Sequence, residues 1–202
     1  LIARGPADQP GFEARRGTAF ALRRQIGSAA VTGWAESGSV AAIVPRGREP
    51  GYAIVGLAAD RRFGPVTLTA GAGLMRERAT VLGARFGPAI GAGALTRVAD
   101  LALSLDPGGG WRAGAAWRQG WTRAAPGLAA IASARLATTA YAFDIARAGL
   151  LARGDRLGVR LAQPLRISSG GYPLSLPVSY DYATETVSYG EQRLDLAPQG
   201  RE

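Results

Sequence analysis

Apolar and polar residues alternate with a period of two over much of this chain. In 155–168, DRLGVRLAQPLRIS, the residues Leu157, Val159, Leu161, Leu165 and Ile167 share one parity, and Arg156, Gly158, Arg160, Ala162, Pro164, Arg166 and Ser168 take the other. Segment 172–182 repeats this, with Tyr172, Leu174, Leu176, Val178, Tyr180 and Tyr182 against Pro173, Ser175, Pro177, Ser179 and Asp181. In 97–106, Leu101, Leu103 and Leu105 oppose Asp100, Ser104 and Asp106; in 111–122, Trp111, Ala113, Ala115, Trp117 and Trp121 oppose Arg112, Gly114, Arg118, Gly120 and Thr122. Weaker alternation runs through Phe20, Leu22 and Ile26, and through Val66, Leu68 and Leu74. Successive side chains of a strand point to opposite faces, so this period predicts strands whose two faces meet different surroundings. Gly and Pro fall between these runs, at 45–51, Gly64-Pro65, Gly87-Pro88, 107–110, Pro126-Gly127 and Gly170-Gly171. They cut the chain into segments of about 10–20 residues, the spacing of an antiparallel meander. The expected fold class is all-β. Residues 127–153 are rich in Ala and Leu and have helical propensity, but the alternation through Tyr141, Phe143 and Ile145 and the Thr138-Thr139 pair favour a strand. Residues 1–16 show no period and read as a linker, leaving 17–202 as one β domain.

Two architectures accommodate such strands. In a soluble sandwich the apolar faces meet each other and the Arg faces meet water. In an outer-membrane barrel the apolar parity faces lipid and the other faces a wet lumen. Strand length bears on the choice. Trp111 and Trp121 are ten residues apart on one parity, as are Tyr172 and Tyr182. Ten residues cover about 33 Å, or about 25 Å of membrane normal at the usual tilt, which matches the apolar band of such barrels. The barrel reading places Arg112, Arg118, Arg156, Arg160 and Arg166 towards the lumen. It places Trp111, Trp121, Leu157, Leu161, Tyr172, Leu174, Val178 and Tyr182 against lipid or in an aromatic girdle. Pro164, Pro173 and Pro177 lack a ladder donor and suit a sheet edge better than a closed barrel. A third reading, a carbohydrate-binding module, would use Trp111, Trp117 and Trp121 as a stacking row.

Composition narrows the chemistry. Among 202 residues there is no His, no Cys and no Lys, so all 24 basic residues are Arg. No Ser-His-Asp, Cys-His or Ser-Lys centre can form, and no imidazole or thiolate can hold a metal. The Gly-rich runs lack the spacing and the lysine of a phosphate loop. We expect no catalysis, no cofactor and no metal. The net charge of +9 permits nucleic-acid binding, but the arginines are scattered in short pairs, and no nucleic-acid partner is expected. The chain opens at Leu1 without a charged-then-apolar leader and stops in a polar run, which reads as a fragment of something longer.

Four runs together carry a resemblance: VTLTAGAGLMRERATVLGARFG (66–87), GGWRAGAAWRQGWT (109–122), AYAFDIARAGLLARGDRLGVRLAQPLRISSGGYPLSLPVSYDYAT (140–184) and EQRLDLAPQGRE (191–202). In that order they resemble the C-terminal, autotransporter-like region of subtilisin-like serine peptidases from sphingomonad-type Gram-negative bacteria. The resemblance covers about residues 17–202 and is most specific from Asp155 onward. It implies an outer-membrane β-barrel, or a truncated part of one, that anchors or translocates an N-terminal peptidase passenger. The partners it implies are outer-membrane lipid, the covalently linked passenger and the outer-membrane assembly machinery. The Asp-His-Ser triad would belong to the passenger, since this chain has no His. Barrels of that kind usually end in an aromatic residue, whereas this chain ends at Glu202, so the resemblance implies that the last strands are missing. The alternative is a soluble β-sandwich that tethers or chaperones a secreted peptidase in the periplasm or outside the cell.

Overall fold

The computed structural model describes residues 14–40, 49–85, 91–127, 132–152 and 154–197. Its nine strands are β1 (Ala14–Ile26), β2 (Ala29–Val40), β3 (Gly51–Phe63), β4 (Val66–Glu77), β5 (Gly91–Gly108), β6 (Trp111–Pro126), β7 (Ala134–Ala148), β8 (Arg156–Asp181) and β9 (Thr186–Asp195). They form one antiparallel meander in sequence order. The fold is all-β, and the Ala-rich stretch after residue 127 supplies β7 rather than a helix. β1 begins at Ala14, so residues 14–16 belong to the sheet rather than to a linker; residues 1–13 lie outside the described residues. The sheet is not closed into a barrel. Among the described residues β1 pairs only with β2, and β9 only with β8.

Turn chemistry sets the register. Two-residue turns at Gly27-Ser28, Gly64-Pro65 and Gly109-Gly110 join β1 to β2, β3 to β4 and β5 to β6. Gly27 and Gly64 take φ of 60° and 59°, the left-handed start that fits a tight hairpin to the twist of its strands. These turns and the 149–155 loop lie at one end of the sheet, the tight-turn end. The longer connections between β2 and β3, β4 and β5, and β6 and β7 lie at the other.

The strands alternate as the sequence pattern predicts, and the faces differ in kind. On β4, Leu68, Ala70, Ala72 and Leu74 are exposed while Met75 and Glu77 on the other parity are buried. We call the first face outer and the second inner. Small residues let the inner face pack. A Cβ on Gly56 would collide with the Trp34 ring, and one on Gly114 would meet the Asp144 carboxylate. At the long-loop end a core gathers Val81, Ala94, Ala124, Ala134, Leu136, Tyr172 and Leu174. Glu77 organises the connection that enters it: the carboxylate accepts hydrogen bonds from Thr80 Oγ1 and from the backbone N–H groups of Leu82 and Gly83 at 2.8 Å each.

β8 departs from simple alternation. Residues 156–171 pair with β7, and 171–181 pair with β9, so the β8–β9 hairpin continues past the long-loop end of β7. Tyr141 and Thr139 oppose Gln163 and Arg166, so three steps of β8 pass two of β7. A second shift follows between Ile167 and Ser169. A one-residue bulge moves every later side chain to the other face. Leu165 and Ile167 therefore turn inward, while Leu157, Val159 and Leu161 stay outward. The second bulge restores the first parity, in which even-numbered residues face in, so Tyr172, Leu174 and Leu176 also point inward. The expected lipid-facing placement of Tyr172 and Leu174 is corrected: they are 0% and 6% exposed, within the core. Arg166, expected in the lumen, lies opposite Thr139 on the outer face for the same reason.

The loop before β8 folds around one carboxylate. Asp155 accepts hydrogen bonds from the N–H groups of Leu151 (2.6 Å), Ala152 (3.0 Å) and Leu150 (2.9 Å). These donors, Leu151 and Ala152 foremost, hold its pKa below the ordinary carboxylate value. A depressed pKa means that the stabilisation is present above the unfolded-state value, about 4, and lost as pH falls through the folded-state value. Hydrogen exchange at Leu150, Leu151 and Ala152, corrected for intrinsic rate, should stay protected from about pH 7 to about pH 4 and lose protection below that. Asp155→Asn should lose protection across the whole range.

Candidate functional site

The middle of the outer face is mainly apolar across β3 to β8. Register aligns Ala59, Ala70, Leu101, Trp117, Tyr141 and Gln163 in one cross-strand row, with Arg61, Leu68, Leu103, Ala115, Phe143 and Leu161 in the next row towards the tight turns. Among these, Leu103, Trp117, Phe143 and Leu161 are 44%, 42%, 51% and 67% exposed, with no second layer over them. Trp111 and Trp121 stand near opposite ends of this face. Leu157 and Leu161 are exposed on the same face, and Val178 and Tyr182 are exposed on the β8–β9 hairpin. At the tight-turn end, arginine stacks on aromatic rings: Arg61 lies 4.8 Å from the Phe63 centroid and Arg147 lies 5.2 Å from that of Trp111. Trp111, Trp117 and Trp121 share the face opposite the cavity described below, so no groove surrounds them as a sugar-stacking row would need.

A polar patch interrupts the apolar face at the β8 bulge. Thr139 Oγ1 donates to Gln119 Oε1 at 2.9 Å, and Ser168 Oγ donates to the Ala137 carbonyl at 3.2 Å. Arg166 stands beside them.

The inner face lines a cavity of about 630 Å³ that runs beneath β1 to β8. Both arginines on it are paired with carboxylates. Arg118 holds Asp100 with two prongs, Nε to Oδ1 at 2.6 Å and an Nη to Oδ2 at 3.0 Å, with side chains only 10% and 18% exposed. Arg23 of β1 reaches across β2 to Asp60 of β3 at 2.7 Å. Thr96 and Thr122 share a hydrogen bond of 2.9 Å, and Tyr52 donates to Glu36 at 2.5 Å. Of the arginines assigned to the interior by sequence, Arg118 lines the cavity, Arg160 faces Asp144 across the ladder, and Arg112 pairs loosely with Asp106 at 3.4 Å. Arg156 is exposed opposite Ala148 at the tight-turn end. The cavity is a mainly apolar trough crossed by two ion pairs, and among the described residues no cluster of three acidic groups suits a metal.

Sequence reasoning missed Glu77, whose role comes from a loop folding back on it. It also missed a group of outer-face arginines, Arg76, Arg97, Arg123 and Arg135, which only strand register brings together. No protein-family model matches this chain, and neither a curated protein nor a solved structure resembles it closely enough to count as a match.

The interior pair should show the asymmetry of buried ions. Arg118→Ala should cost about 3 kcal/mol in denaturant unfolding, because Asp100 is left without its cation. The double variant Asp100→Ala/Arg118→Ala should lose less; an equal or greater loss would contradict the matched-charge account of the trough.

Proposed function

We propose that this chain is a non-catalytic outer-membrane β module that anchors a secreted subtilisin-like peptidase joined to its N-terminal side. The observation that carries the membrane assignment is the inversion of the two faces. Exposed large aliphatic and aromatic side chains cover the face that no other described residue covers, and the buried ion pairs and hydroxyl pairs lie on the face that encloses the cavity, beside a few large apolar residues such as Trp34, Ile54 and Met75. A soluble sandwich requires the reverse, apolar faces packed on one another. A sheet in hydrocarbon requires apolar side chains outward and its backbone donors satisfied by the ladder. The peptidase assignment rests on the sequence resemblance, not on the geometry.

In lipid the open edges must be satisfied. Residues 156–170 of β8 pair along one edge with β7 and, among the described residues, with nothing along the other; the outer edge of β1 is likewise free. Ala19 and Ala21 of β1 and Leu165 of β8 wall the same cavity. Joining these edges is antiparallel and gives a barrel of β1 to β8, with the β8–β9 hairpin projecting from the long-loop end. A barrel of about eight strands is too narrow for an aqueous channel even with the cavity it encloses, which favours anchor over conduit.

Two experiments test this reading. The peptidase-bearing protein should sediment with outer membrane and show heat-modifiable gel migration; release without detergent would favour the soluble alternative. In the same assay Leu101→Arg, at the middle of the outer band, should abolish assembly at a cost of about 2–4 kcal/mol, while Ser104→Arg on the inner parity should be tolerated. The seam can be read by cross-linking, since the chain has no native Cys. Leu22→Cys combined in turn with Leu157→Cys, Val159→Cys or Leu161→Cys should give an intramolecular disulfide in at least one pair. Only intermolecular disulfides, or none, would sink closure within one chain.

A further inference from the structure

The outer face at the long-loop end carries a cluster of arginines that the anchor role does not use. Arg76, Arg97, Arg123 and Arg135 are each exposed, and their neighbours along the strand are buried or half-buried. All four therefore point outward. Register places Arg76, Leu95, Arg123 and Arg135 in one row across β4, β5, β6 and β7. Arg97 is the next outward residue of β5 and lies diagonal to both Arg76 and Arg123. Like charges directly opposite across a ladder are destabilising, and Arg123 faces Arg135 in that way. Among the described residues none of the four makes an ion pair, although Asp195 of β9 stands in the same row two strands beyond Arg135, across Gly171. Glu77, next in sequence to Arg76, points inward and is committed to Thr80, Leu82 and Gly83. Leu74 and Trp121 of the apolar band flank Arg97 directly, and Leu101 follows two outward positions further along β5.

We infer that these four arginines bind the headgroup of a membrane lipid bearing more than one phosphate, with its acyl chains lying over Leu74, Leu101 and Trp121. Guanidinium groups take phosphate oxygens in pairs, and a bridging anion relieves the repulsion between Arg123 and Arg135. β4 to β7 is three inter-strand spacings, about 14 Å, which is wider than a single phosphate spans. The tight-turn end lacks this feature, since Arg61 and Arg147 there are stacked on aromatic rings.

This inference rests on the membrane reading, and the test separates the two. The chain is folded in neutral alkyl-maltoside micelles, and folding is scored by heat-modifiable migration. Lipid A, a diglucosamine amphiphile with two phosphates, is then titrated while Trp fluorescence is followed, against inorganic phosphate at the same phosphate concentration. Saturable lipid binding is expected, with inorganic phosphate far weaker. Arg123→Gln/Arg135→Gln should weaken it about thirtyfold, from about 1 kcal/mol per arginine, and Arg61→Gln/Arg147→Gln should leave it unchanged. Should the first double variant fail to fold, Arg76→Gln/Arg97→Gln carries the same expectation. A folded chain whose binding ignores these substitutions, or that takes inorganic phosphate equally well, overturns the lipid site and leaves the membrane reading standing. A chain that does not fold in micelles overturns both.

Discussion

A single sheet has two faces and, without a second layer, only one of them can be enclosed. That constraint governs this protein. Curling the meander shelters the inner face, and among the described residues no second layer covers the outer one. Here the outer face holds Leu101, Leu103, Trp117 and Phe143, all between two-fifths and just over half exposed. In water such a band would be a large apolar patch of the kind soluble monomers rarely display. In hydrocarbon it is the favourable arrangement, and the ladder meets the remaining demand by satisfying backbone polar groups internally.

The inner face follows from the same curvature. Space there is short, so glycine stands where a neighbouring side chain must lie flat, as Gly56 does under Trp34. Several polar groups that lose water there find partners, Arg118 with Asp100, Arg23 with Asp60 and Thr96 with Thr122, while the buried hydroxyl of Thr138 has none. The pairs link strands that already adjoin or reach over one strand, so they hold curvature as well as charge balance.

β8 is where the regular plan changes. Its bulges carry Leu165 and Ile167 inward, and its second half leaves β7 to pair with β9. Tyr172 and Leu174 then fill the long-loop end beside Val81, a loop residue brought in by the hydrogen bonds at Glu77. One strand thus forms the sheet's late edge, contributes to its end core and begins the hairpin that projects beyond it.

Period-two alternation and Gly/Pro spacing were enough to read the all-β meander, the outward placement of Trp111, Leu157 and Leu161, and the interior position of Arg118. These depend only on side-chain direction along a strand, which is local. Three features were not legible: the inward turn of Tyr172 and Leu174, the outward turn of Arg166, and the grouping of Arg76, Arg97, Arg123 and Arg135. The first two depend on which face of β8 each apolar run takes and on bulges that appear only when β8 is set against β7. The third depends on register between strands tens of residues apart. Sequence by itself determined which residues alternate; tertiary structure decided which face each set joined, because a face is defined by neighbouring strands and by the curvature of the whole sheet.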